Sequence, residues 1–80
     1  MINPDQIKSW IHENLSCEHV EVQGDGHHFE AVIVSPAFRG KSRVQQHQLV
    51  YAALGSRMQA EIHALSMQTY TPEDWAAKGS

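Results

Sequence analysis

Eighty residues make one domain, spanning 1–80, near the lower limit for a core that holds itself together without staples. Apolar residues make up 41%, which argues against disorder, and one cysteine, Cys17, excludes a disulfide framework or a cysteine-rich zinc module. The net charge of −3 with neutral histidines weakens nonspecific attraction to nucleic acid, yet three of the six basic residues, Arg39, Lys41 and Arg43, crowd into five positions.

Asn3-Pro4-Asp5-Gln6 opens the chain as a helix start: a cap, proline at the first helical position, and glutamine two places later. Ile7, Trp10, Ile11 and Leu15 then recur on one helical face, and the helix is expected to end near Leu15 or Ser16. Residues 19–23 alternate, with Val20 and Val22 on one side, and lead into Gly24-Asp25-Gly26. A glycine-containing loop between two β-type runs predicts a hairpin. The second run, residues 28–35, is nearly continuously apolar, which predicts a strand covered on much of both faces until Pro36 stops it.

Ser42-Arg43-Val44-Gln45 is a capping box, and the helix it starts is expected to carry Val44, Tyr51, Leu54 and Met58 on its apolar stripe. Residues 61–70 read as a third strand, and Thr71-Pro72-Glu73-Asp74 repeats the opening formula before a short helix with Trp75. Both tryptophans fall at expected core positions, Met58 and Met67 fill gaps, and His12 and His19 read as solvated. The order α-β-β-α-β-α predicts an α+β fold with a three-stranded mixed sheet and helices packed on it. A helix joins the second and third strands, so these should run parallel, with their beginnings at the same end of the sheet.

That arrangement gives the histidines their interest. His27-His28 opens the second strand and His63 lies near the start of the third, so imidazoles gather at one end. Neutral imidazole is the commonest protein metal ligand, but two of them make half a metal site. Alternation lets only one of His27 and His28 share a face with His63 if both lie in regular strand. The plainer reading of each is a polar strand or turn residue. For His47, on the second helix, a packed histidine bonding the preceding loop is the favoured role.

Gly40-Lys41-Ser42 invites a nucleotide-binding reading, but the phosphate loop needs glycine where Ser35 stands. No serine, histidine and acid converge by spacing, so an enzyme is not expected. The first residues show neither the basic segment nor the apolar stretch of a signal peptide. No apolar run nears the roughly 20 residues that span a bilayer. A cytoplasmic protein without membrane association is expected, as a monomer or weak homodimer.

Phe38-Arg39-Gly40-Lys41-Ser42 with Arg43 and His47, followed by Ile62-His63-Ala64-Leu65 and Thr71-Pro72-Glu73-Asp74-Trp75, resembles the signature of the BolA family across roughly the whole chain. The resemblance implies a fold similar to a class II KH domain. It also implies pairing with a monothiol glutaredoxin and shared ligation of a [2Fe-2S] cluster, for iron-sulfur trafficking or for iron and redox regulation. In that scheme the partner brings its active-site cysteine and glutathione. The BolA-like chain brings the histidine matching His63 and a second ligand from the first hairpin, here His27 or His28. The segment from Phe38 to His47 would help form the partner surface. The alternative is a nucleic-acid-binding transcriptional regulator using the Arg39, Lys41 and Arg43 loop on DNA. The G-x-x-G loop of KH domains is missing from it.

Overall fold

The computed structural model describes residues 2–60, 62 and 64–79. Helix α1 (Pro4–Asn14) starts at Asn3, whose side chain accepts from Gln6 N while the Gln6 side chain returns the bond to Asn3 N, both at 3.0 Å. Strand β1 (His19–Gly24) turns into β2 (His28–Val34), a 3₁₀ turn follows at Pro36–Phe38, and α2 (Arg43–Leu54) starts from the Ser42–Gln45 capping box. A short α3 (Arg57–Ala60), strand β3 (Ala64–Tyr70) and α4 (Pro72–Gly79) complete the chain. Each such cap contributes on the order of 1 kcal/mol, a sizeable share of the stability of so small a domain.

The sheet has the order β1-β2-β3, with β1 antiparallel and β2 parallel to their respective neighbours β2 and β3. The mixed α+β architecture is therefore the one the element order predicts. Helices α1 and α2 cover one face: Ile7 and Ile11 from α1 and Val50 and Leu54 from α2 bury against Val20, Phe29, Ala31 and Ile33. On the other face Glu21, Gln23, Glu30, Ser66 and Gln68 are exposed.

Several sequence expectations give way here. β2 is covered on both faces only at its far end: Phe29, Ala31 and Ile33 are buried on one face, while on the other His28 and Glu30 are exposed, Val32 is half-buried and Val34 is buried. Of the stripe expected on the second helix, Leu54 is buried as expected, but Val44 and Tyr51 point outward. Val44 is 66% and Tyr51 42% exposed, while Val50, Ala53 and Leu54 face the core. The helix also stops before Met58. Gly55 takes φ +60°, a left-handed conformation that favours glycine, and closes the last turn through its N–H to Tyr51 O at 2.8 Å. β3 begins at Ala64 within the described residues, and Glu61 and His63 lie outside them.

Trp10 and Trp75 are half-buried rather than core. Trp10 carries the Arg57 guanidinium 4.6 Å above its ring. Trp75 stacks on His19 at 5.2 Å and tilts against Tyr70 at 5.3 Å, so α4, which buries no residue, is held across the end of the sheet by ring contacts. His19 is accordingly half-buried, not solvated, and its Nε2 stands 3.1 Å from Glu21 Oε1, out of hydrogen-bond alignment.

Candidate functional site

The hairpin end is built by one carboxylate. Asp25 Oδ1 accepts the backbone N–H of His27 at 2.9 Å and of His28 at 3.0 Å, while its own N–H donates to His28 O at 3.2 Å. An aspartate that satisfies two amides fixes the loop in one shape. The same bonds, that from His28 the stronger, hold the Asp25 carboxyl below its ordinary value. Gly24 is needed beside it, because a Cβ there would collide with His28 O and the Phe29 ring.

Both imidazoles of this loop are exposed. His28 is paired with Ala64 in the parallel register, so the starts of β2 and β3 meet, about 4.8 Å apart. His63, which directly precedes Ala64 in the chain, lies outside the described residues. Among the described residues no three His, Cys, Asp or Glu side chains gather as a metal-holding group, and the hairpin end presents two exposed imidazoles. Cys17 does not add to it, since burial pushes its thiol up to about 11 and keeps it protonated at neutral pH.

The basic segment stands at the other end of β2. Six steps of strand separate His28 from Val34, about 20 Å, so the structure does not bring the hairpin histidines and the start of this segment together. Phe38 is fully buried and presents no side chain to a partner. Arg39 makes a two-pronged pair with Glu73, Nε to Oε1 at 2.9 Å and Nη2 to Oε2, which ties the loop to α4. This side-chain bonding lowers the Glu73 carboxyl and raises the Arg39 guanidinium. Gly40, Lys41, Ser42 and Arg43 are exposed.

His47 does not bond the preceding loop. It is half-buried, and its Nε2 is sealed with no hydrogen-bond partner. Gln46 takes that role: its Nε2 donates to Phe38 O and Lys41 O, each at 3.2 Å, and its Oε1 accepts from Thr69 Oγ1 at 2.6 Å. Three of the four bonds open to a glutamine side chain are thus made. Sequence reasoning missed this clamp, because its partners lie 8, 5 and 23 positions away. It also missed the Asp25 cap, although an aspartate between two glycines is a recognisable turn signal.

A hollow of about 450 Å³ lies at the hairpin, lined by Gln23, Gly24, Asp25, His28 and Glu30, and two more flank these features. One of about 590 Å³ lies against the centre of the sheet, with Glu21 and Glu30 as its acidic groups. None of the candidate site residues named from the sequence lines it. The other, of about 370 Å³, runs between Arg43 and His47 on α2 and residues 67–70 of β3.

Comparison with known proteins agrees with this architecture. A family model described as BolA-like protein matches residues 7–74. The acid stress protein IbaG of Escherichia coli K12 is 41% identical over 73 residues, covering 90% of this chain and 87% of that protein. The DNA-binding transcriptional regulator BolA of Haemophilus influenzae is 41% identical over 66 residues, covering 82% of this chain and 64% of that protein. The solved structure of a BolA protein homologue from Coxiella burnetii superposes with a TM-score of 0.88 at 51% identity, covering 95% of this chain and 99% of that one. With a family model matched over most of its length and relatives this similar along nearly all of both chains, the chain belongs to the BolA-like protein family.

Proposed function

We propose that this protein acts as the partner of a monothiol glutaredoxin and supplies nitrogen ligands to a [2Fe-2S] cluster carried between the two proteins. His63 and one of His27 and His28 are the ligands in this reading, and the glutaredoxin cysteine and glutathione provide the sulfur. The observation that carries it is the His28–Ala64 register: the hairpin imidazoles stand beside the start of β3, one peptide bond from His63. Exposed, preset imidazoles in an incomplete set suit a cluster completed from outside. Two neutral imidazoles in place of two thiolates remove negative charge from one iron and raise its reduction potential. Ligation by a neutral ring is also lost on protonation, which favours a cluster that is sensed or handed on.

Reconstitution of the complex with a monothiol glutaredoxin and glutathione, followed by visible circular dichroism, tests this. His63→Ala, and one of His27→Ala and His28→Ala, should change the cluster bands. Unchanged spectra in all three would remove the imidazoles from the ligand list. Binding of glutaredoxin without cluster would leave an adaptor role instead.

A DNA-binding regulator is the second reading, favoured by the exposed Lys41 and Arg43 and by the name of the Haemophilus influenzae relative. The pairing of Arg39 with Glu73 withdraws one of its three cations. Mobility of duplex DNA at low salt, compared between this chain and a variant with Lys41 and Arg43 both changed to alanine, decides it. A shift that the variant loses supports it, and no shift at low salt removes it.

A further inference from the structure

One edge of β3 is open and undefended. Among the described residues β3 has a strand neighbour on one side only, and its seven residues contain no charge, no proline and no bulge in their register with β2. Natural sheets blunt such edges with exactly those devices, because a flat edge offers unpaired N–H and C=O groups to any extended chain. The groove beside it runs along the edge: residues 67–70, whose side chains alternate between faces, all line it, together with Arg43 and His47. Arg43 is its only permanently charged wall residue. The helix next to it exposes Val44 and Tyr51, the two large apolar side chains that the described residues leave outside the core. Val44 and Tyr51 flank the half-buried His47 along the helix, at 66% and 42% exposed.

We infer that the β3 edge and the Arg43–His47 groove dock an extended, acidic segment of a protein partner, added to the sheet as a fourth strand. Backbone groups along β3 supply the pairing, Arg43 selects a carboxylate, and Val44 and Tyr51 cover the apolar side chains of the incoming segment. The charge of the groove sets the occupant apart from a second copy of this chain. The chain's own β3 carries no acid to meet Arg43, and two copies paired edge to edge would bring like grooves together. A nucleic acid fits less well, because the described lining offers one permanent cation, a half-buried His47 and a Tyr70 ring already engaged by Trp75. A strand laid along β3 would also run towards Ala64, at the histidine end of the sheet, but the inference stands without cluster ligation.

Titration of the isotope-labelled protein with a short peptide alternating valine and glutamate, followed by NMR, tests it. Amides of residues 65–70 and Arg43 should shift and exchange more slowly with solvent. The same peptide with lysine for glutamate should bind about fivefold more weakly, and Arg43→Glu, an exposed change that spares the core, should reverse that order. Val44→Ser should weaken both peptides alike. Three results would each overturn the inference: no response of β3 at millimolar peptide, a stronger response of the same residues to oligothymidylate, or β3 shifts that follow dilution of the protein alone.

Discussion

Replacing Gln46 should cost more stability than its half-buried position suggests. Gln46→Ala removes two part-buried hydrogen bonds, to Phe38 O and Thr69 Oγ1, and one exposed bond to Lys41 O. Water replaces the exposed one at little cost. Each of the other two contributes about 1 kcal/mol net, and leaving a part-buried partner unmet adds to that, for a total of about 2–3 kcal/mol. For a domain of this size the melting temperature should fall by about 10–20 °C. Gln46→Leu restores bulk without the bonds and should recover less than half of the loss. His47→Ala is the comparison, because its Nε2 has no hydrogen bond to lose; its cost should stay under about 1 kcal/mol. Urea unfolding followed by far-ultraviolet circular dichroism, at a constant slope, measures all three. A Gln46→Ala loss below about 0.5 kcal/mol, or one smaller than that of His47→Ala, would refute the clamp.

Asp25 should titrate below the ordinary aspartate value of 3.8, because two amides bond its ionised form. Since the folded value is the lower one, its contribution is present above the unfolded value and is lost as pH falls through the folded one. In NMR the His27 and His28 amides should move with that midpoint, and a midpoint above 3.8 would contradict the cap. Gly24→Ala should cost about 1–3 kcal/mol by forcing a Cβ into His28 O and Phe29, and should raise amide exchange through the hairpin. Arg39→Ala should return the Glu73 carboxyl towards its ordinary value of 4.5, measured by carboxyl-carbon shifts. Added salt should do the same, since the pair is exposed, and an unmoved Glu73 would dissolve the link between the basic loop and α4.

The parts of the fold that were legible in the sequence are those set by local chemistry. Asn3, Ser42 and Thr71 each bond an orphan amide three residues on, and no distant contact is needed to recognise that pattern. The parallel pairing of β2 with β3 followed from the helical connection between them. The buried face of α2 was not legible, because apolar residues lie on both sides of it. Val44 and Tyr51 make as good a stripe as Val50, Ala53 and Leu54, and the sheet decides between them. Spacing likewise gave no sign that Arg39 would meet Glu73, 34 positions away. His27, His28 and the basic segment were identifiable as unusual residues, and the extent of the second strand already sets them at its opposite ends; the exact pairing of His28 with Ala64 required the structure.

The central claim is that nitrogen from this chain binds an iron shared with another protein. Pulsed electron paramagnetic resonance of the reduced cluster tests it most directly, with this chain labelled with ¹⁵N-histidine and the glutaredoxin unlabelled. Two strong ¹⁵N couplings are expected from the unaltered chain and one after His63→Ala. A reduced cluster with no ¹⁵N coupling at all would contradict the account.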